Sequence, residues 1–205
     1  MGQVSDHYFS AQPAGPMTVR TLAVTLAGRT VTVRTAGGVF SPDAVDKGTA
    51  VLLKYAPTPP RTGRFLDLGC GWGPMALTLA LRSPDADVRA VDVNQRALDL
   101  VRHNAAALGL DRVHAVEPEQ VPPGEQYDLI WSNPPIRIGK AALHALLAHW
   151  VPRLRPGGTA LLVVQKNLGG DSLQRWLTGA LGEDFTVERA ATDKGFRLLR
   201  VQCAD

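Results

Sequence analysis

The chain has 205 residues, 45% hydrophobic and 20% charged, with 22 Lys and Arg against 19 Asp and Glu and a formal net charge of +3. That is the composition of a soluble globular protein with one sizeable core, so a single domain over residues 1–205 is expected. No apolar run approaches the ~20 residues of a membrane-spanning helix. The two cysteines, Cys70 and Cys203, give neither a disulfide framework nor a zinc spacing.

The N-terminus, "MGQVSDHYFS", has neither a basic start nor an apolar stretch, which argues against a secretory signal. Asp6 stands where a myristoylation site carries Ser or Thr. A cytoplasmic, metal-free protein is the expectation. From Thr18 to Thr35 the sequence alternates through Val19, Leu22, Val24 and Leu26, then Val31 and Val33, with Ala27-Gly28 between the runs. That pattern predicts a β-hairpin with glycine in its turn. "GGVFSPDAVDKGTAVLLKYAP" then reads as a loop leading into a short helix that stops near Pro57. Residues 1–60 thus form an arm, a hairpin and a helix ahead of a core at 61–205.

Beyond Arg64 strands and helices alternate. Strands are predicted at Phe65–Leu68, Val88–Val91, Val113–Val116, Tyr127–Trp131, Thr159–Val164, Phe185–Arg189 and Phe196–Val201. Helices are predicted at Pro74–Leu81, Gln95–Leu108, Lys140–Leu154 and Ser172–Leu181. Asn94 is the expected N-cap of the second of these helices and Gly109 its stop, and Pro156-Gly157-Gly158 is expected to end the third. Such alternation implies a mostly parallel sheet with helices on both faces. The last two strands have no helix between them and read as an antiparallel edge hairpin.

"FLDLGCGWGP" is the most informative stretch. A strand delivers Gly69, Gly71 and Gly73 at alternate positions, and Pro74 begins a helix, where its missing N–H costs nothing. Glycine is needed where φ is positive or where a ligand approaches the backbone. About two dozen residues on, Asp92 ends the second strand, where a carboxylate can accept both hydroxyls of a ribose. Dinucleotide enzymes place their third glycine one residue later, at a position that is Pro74 here. The G-x-G-x-G form with Asp67 upstream resembles the class I S-adenosylmethionine-dependent methyltransferases. That resemblance implies a Rossmann-like sheet and S-adenosylmethionine as cofactor. It also implies a cofactor site built from Asp67, Gly69, Cys70, Gly71, Gly73, Asp92, Val93 and Asn133, with Glu117 or Glu119 after the third strand as adenine contacts.

The fourth strand ends in "WSNPPIRIGK", facing the glycine loop across the switch point of the sheet. Asn133-Pro134-Pro135-Ile136 resembles the (N/D/S)-P-P-(Y/F/W/I) motif of methyltransferases that act on planar amino groups. An exocyclic amine is a poor nucleophile because its lone pair is delocalised into the ring. The Asn133 side-chain oxygen and the Pro134 carbonyl can each accept one N–H, turning the lone pair toward the methyl group and stabilising positive charge that develops on nitrogen. The prolines stiffen the backbone, and Ile136 occupies a place where the family often has an aromatic ring. No strong general base is required.

"DHYFSAQP", "GGVFSPDAVDKGTAVLL" and "YDLIWSNPPI" are similar to the small-domain methyltransferases related to ribosomal RNA small-subunit (guanine-N2)-methyltransferase type C. The resemblance implies transfer to guanine N2 of ribosomal RNA, free or in a ribosomal subunit. A protein glutamine or a small-molecule amine is the alternative acceptor, although the glutamine enzymes favour Tyr where this chain has Ile136. Phe9 and Phe40, with His7 and Tyr8 beside them, are candidate base or cofactor contacts, or else core residues that pin the N-terminal arm onto the sheet. Lys47 and Gly48 are candidates for a place near the cofactor carboxylate. Arg137 is the expected phosphate contact, with Lys140, Lys166, Lys194 and Arg197 as further rim cations. His103, His144 and His149 read as surface or packing residues.

Overall fold

The structure, a computed structural model, describes residues 18–205. Two strands, β1 (Val19–Leu26) and β2 (Arg29–Ala36), pair antiparallel through the Ala27-Gly28 turn. Both turn residues have positive φ, 51° and 76°, the primed geometry that matches strand twist and favours glycine at the second position. Helix α1 (Lys47–Tyr55) follows, ending one residue before Ala56-Pro57.

The core alternates as its sequence predicts. It runs β3 (Thr62–Leu68), α2 (Pro74–Arg82), β4 (Asp85–Val91), α3 (Gln95–Ala107), β5 (Val113–Val116), β6 (Tyr127–Ser132), α4 (Lys140–Trp150), β7 (Leu154–Gln165), α5 (Gly170–Ala180), β8 (Phe185–Asp193) and β9 (Phe196–Cys203). The sheet order is β5-β4-β3-β6-β7-β9-β8, parallel except for β9, which runs antiparallel to both neighbours. This is the Rossmann-like sheet with an antiparallel edge hairpin, preceded by a separate N-terminal hairpin. The order reverses between β3 and β6, so the loops after those strands diverge and leave a crevice at the carboxyl edge.

Strand periodicity divides the core in two. Phe65, Val88, Ala90, Leu129, Trp131, Leu161 and Val163 face α1, α2 and α3, whereas Leu66, Leu68, Val91, Ile130, Leu162 and Val164 face α4 and α5. The N-terminal hairpin packs Leu26, Val33 and Ala36 on Trp72, Leu77, Leu100 and Ala105, covering the outer faces of α2 and α3. Buried Asn104 fastens it by accepting the Arg34 N–H at 2.7 Å and donating to the carbonyls of Arg34 and Trp72 at 2.9 and 3.2 Å.

The end of α4 differs from the expectation. The helix stops at Trp150 and gives way to a 3₁₀ turn, Val151–Arg153, because Pro152 has no N–H to offer the carbonyl of Ala148. Pro156-Gly157-Gly158 lies inside β7 instead, at an irregularity where pairing to β6 shifts between Tyr127 and Leu129. A Cβ at Gly158 would stand 2.8 Å from the carbonyl oxygen of Arg155, so the glycine permits the strand to bend there. Among the described residues no helix is long and apolar enough to cross a membrane.

Candidate active site

The crevice holds a cavity of about 550 Å³. One half lies over β3 and β4 and is walled by Gly69, Gly71, Asp92, Val93, Asn94 and Pro118; the other lies over β6, β7 and β9 and is walled by Asn133–Arg137, Gln165 and Phe196. Val39 to Pro42 and Asp46 form the near side.

The glycine loop is held from below. The N–H groups of Gly69 and Cys70 bond the carbonyl of Val91 at 2.8 and 3.0 Å. Gly69, Gly71 and Gly73 take φ of 76°, 54° and 98°, which L side chains rarely adopt. A Cβ at Gly69 would meet nothing within 4 Å, so the backbone lies bare against the cavity. At Gly73 it would lie 3.0 Å from Val101, so that glycine serves helix packing rather than the cavity wall. Asp67 is 0% exposed and accepts the Ala76 N–H at 2.8 Å, which fastens the strand to the first turn of α2. Burial, with a smaller contribution from the charge of Asp92, pushes its carboxyl up to about 8. Cys70 is buried beneath the loop, and burial raises its thiol well above the ordinary range. Asp67, Cys70 and Gly73 therefore shape the loop without lining the main cavity.

Asp92 does line it. Its Oδ2 accepts the Gly71 N–H at 2.9 Å and its Oδ1 the Asn94 N–H at 3.0 Å, tying the glycine loop to the start of α3. Burial pushes this carboxyl up, opposed by the N–H groups of Asn94, Gly71 and Val93. Val93 beside it is 43% exposed, an apolar surface open to the cavity. Asn94 caps α3 as expected and also donates to the carbonyl of Gly38 at 2.7 Å. With the Trp72 indole N–H on the Ser41 carbonyl at 3.0 Å, this draws the loop carrying Phe40 over the cavity mouth.

At the opposite wall, the Asn133 side-chain nitrogen donates to Asp46 Oδ2 at 2.8 Å and to Thr49 Oγ1 at 3.2 Å. A carboxylate oxygen only accepts, so the NH₂ end of the amide is fixed on that side and Oδ1 is its free end. Ser132 beside it ties β6 to β3 through a 2.8 Å bond to the Leu68 carbonyl. Pro134, Pro135, Ile136 and exposed Arg137 continue the wall into a 3₁₀ turn, Ile136–Ile138. The Phe196 ring comes from β9; a Cβ on Gly48 would lie 2.9 Å from its Cε1 and 3.0 Å from Asp46 Oδ2.

The sequence matches the methyltransferase small domain family over residues 30–200. The chain belongs to that family. It is 31% identical over 202 residues to the uncharacterized protein YbxB of Bacillus subtilis, covering 97% of this chain and 99% of that one. It is 36% identical over 200 residues to ribosomal RNA small subunit methyltransferase C of Pseudomonas entomophila, covering 95% of this chain and 58% of that one. Among solved structures, the T. thermophilus 16S rRNA N2 G1207 methyltransferase, in complex with AdoMet and guanosine, superposes with a TM-score of 0.76 at 25% identity, covering 92% of this chain and 51% of that one. The chain thus spans about half the length of these ribosomal RNA methyltransferases.

Within this methyltransferase, several predicted contacts lie elsewhere. The cavity is lined by Pro118, not by Glu117 or Glu119, because Glu117 turns into a 3₁₀ turn, Pro118–Gln120, with its N–H on Gln120 Oε1 at 2.9 Å. Arg197 is not a rim cation. Side chains alternate along β9, so Phe196 takes the cavity side and Arg197, 6% exposed, turns toward α5 and pairs with Asp171. Lys140, Lys166 and Lys194 are exposed, but none lines the main cavity; Lys140 borders a smaller one, of about 220 Å³, beside Ile136. Lys47 is exposed away from the cavity and Gly48 is buried under Phe196. His144 stacks on Trp176 with ring centroids 3.7 Å apart. His7, Tyr8 and Phe9 lie outside the described residues. Asp46, Thr49, Gln165 and Phe196 escaped the motif reading; "PDAVDKGT", with Asp two residues before Gly, carries an N-cap signal for the first of these.

Proposed function

We propose that this methyltransferase uses S-adenosylmethionine to methylate an exocyclic amine of an RNA base, guanine N2 of ribosomal RNA in particular. The observation that carries the reading is the Asn133 amide at the cavity wall, whose nitrogen is held by Asp46 and Thr49 so that its oxygen stays free to accept. The positive-φ backbone at Gly69 and Gly71, bare at Gly69 and with Asp92 beside it, fits a nucleoside donor. When bound there, the donor supplies an electrophilic methyl group. Asp92 accepts the ribose hydroxyls, Val93 covers one side of the adenine, and the glycines admit the methionine end.

On the acceptor side, Asn133 Oδ1 and the Pro134 carbonyl each take one N–H of the amine, which turns its lone pair toward the glycine loop. Both acceptors are preorganised, so they stabilise the positive charge that grows on nitrogen during transfer. The methylated nitrogen is then acidic enough to release its proton to water. Ile136 and Phe196 bound the space for a planar ring, and Arg137 meets a phosphate at the rim. The relatives named for ribosomal RNA methylation support the RNA acceptor over a glutamine side chain.

The test is transfer from labelled S-adenosylmethionine to small ribosomal subunits, naked ribosomal RNA and glutamine peptides, followed by nucleoside analysis. Label in N2-methylguanosine is expected; label confined to the peptides would overturn the reading.

A further inference from the structure

The geometry points to Asp46 as a positioning residue that sets the orientation and the acceptor strength of the Asn133 amide. The inference rests on the proposed role of Asn133 as acceptor of the substrate amine. Asp46 lies 87 residues before Asn133, outside the glycine loop and the Asn133-Pro134-Pro135 motif. Its Oδ2 receives three N–H groups: those of Gly48 and Thr49 at 2.7 and 3.2 Å, as N-cap of α1, and the Asn133 amide at 2.8 Å. Thr49, 3% exposed, accepts from the same amide nitrogen at 3.2 Å.

A primary amide is nearly symmetric in shape, so packing alone barely distinguishes the two orientations that differ by a half-turn. Only hydrogen-bond chemistry separates them. In the flipped orientation Asn133 would aim N–H groups at the substrate amine and lose its function. Asp46 excludes that orientation because an oxygen facing its carboxylate would be repelled. The carboxylate also acts through the amide electronically. A charge-assisted bond at the nitrogen draws electron density onto Oδ1 and makes it a better acceptor as the amine gains positive charge. Asp46 is itself immobilised by two backbone bonds of a helix start. Gly48 leaves room for this, since a Cβ there would crowd both Asp46 Oδ2 and Phe196. The start of α1 thereby becomes part of the methyl-transfer apparatus.

The test compares Asp46→Ser, Asp46→Asn and Thr49→Val with Asn133→Ala and with the double variant Asp46→Ser/Asn133→Ala. Serine still caps α1 but is too short to hold the amide, so the variant separates folding from positioning. Turnover is measured with labelled S-adenosylmethionine on small ribosomal subunits from a strain lacking the gene, and donor affinity by calorimetry. Asp46→Ser is expected to lower kcat on the order of 10²-fold, close to Asn133→Ala, with donor affinity unchanged. Asp46→Asn keeps an acceptor oxygen but not the charge and should lose roughly 3- to 10-fold; Thr49→Val should lose less. The double variant should match Asn133→Ala, because Asp46 acts through the amide alone. In an ¹⁵N-edited spectrum, the Asn133 carboxamide signals, identified by their absence in Asn133→Ala, should shift in Asp46→Ser. If Asn133→Ala is damaging while Asp46→Ser is not, or if the two effects multiply, the inference fails and the proposed function stands. Full turnover by Asn133→Ala would overturn both.

Discussion

Replacing Asp92 with alanine separates donor binding from chemistry. Among the carboxylate's backbone N–H partners are Gly71 on Oδ2 at 2.9 Å and Asn94 on Oδ1 at 3.0 Å, and the side chain lines the cavity. Hydrogen bonds to a charged acceptor contribute about 1.5–3 kcal/mol each, so two ribose hydroxyls would lose roughly 3–6 kcal/mol of interaction. Asp92 is half-buried, and water entering the alanine variant recovers part of that. A net loss of about 2–4 kcal/mol remains, which raises the donor Kd roughly 30- to 1000-fold. Asp92→Asn should lose at least about tenfold, since its NH₂ end opposes a backbone N–H that the carboxylate accepts. Titration calorimetry with S-adenosylmethionine and S-adenosylhomocysteine measures both. Hydroxyl donors favour the charged carboxylate, whose pKa burial has raised. Wild-type affinity should therefore fall as the solution is acidified, while that of Asp92→Asn stays level. A Kd for Asp92→Ala within about threefold of wild type would refute the assignment, because it leaves no room for even one charged hydrogen bond.

Other substitutions probe the frame around the site. Asp67 has its carboxyl pushed up to about 8, so folding takes up a proton: its stabilising contribution is full below about pH 4 and is lost as pH rises through 8. Asp67→Asn should consequently gain on wild type over that range, by on the order of a few kcal/mol at the alkaline end, in urea titrations; parallel pH curves would contradict this. Gly73→Ala combines a φ of 98° with a Cβ 3.0 Å from Val101 and should cost about 1–3 kcal/mol in chemical denaturation, whereas a loss under about 0.5 kcal/mol would show that the loop relaxes freely. Phe196→Leu should raise the acceptor KM roughly 5- to 50-fold with little change in kcat, and Phe196→Tyr should restore it; an unaltered KM would remove Phe196 from the acceptor wall.

The glycine-loop half of the cavity was legible because it is local in sequence. "DLGCGWGP" encodes a strand, three positive-φ positions and a helix start within one stretch, and Asp92 follows at the end of the next strand. Asn133-Pro134-Pro135 was legible for the same reason. What surrounds Asn133 was not, since Asp46, Thr49 and Phe196 come from α1 and β9 and meet only after the sheet has formed. Arg197 was misplaced because it was read as a rim residue, although it follows Phe196 in β9 and alternation turns it to the other side of the strand, toward Asp171. The end of α4 was misplaced because Pro-Gly-Gly at 156–158 is a stronger stop signal than the single Pro152 that acts first. Glu117 lost its place to Pro118 through a 3₁₀ turn three residues long, too short to leave a periodic pattern.

The most direct test of the account is nucleoside mass spectrometry of ribosomal RNA from a strain lacking this gene, complemented with wild type or with Asn133→Ala. Loss of one N2-methylguanosine, restored by wild type and not by Asn133→Ala, is the predicted result. An RNA modification profile that deletion leaves unchanged would contradict it.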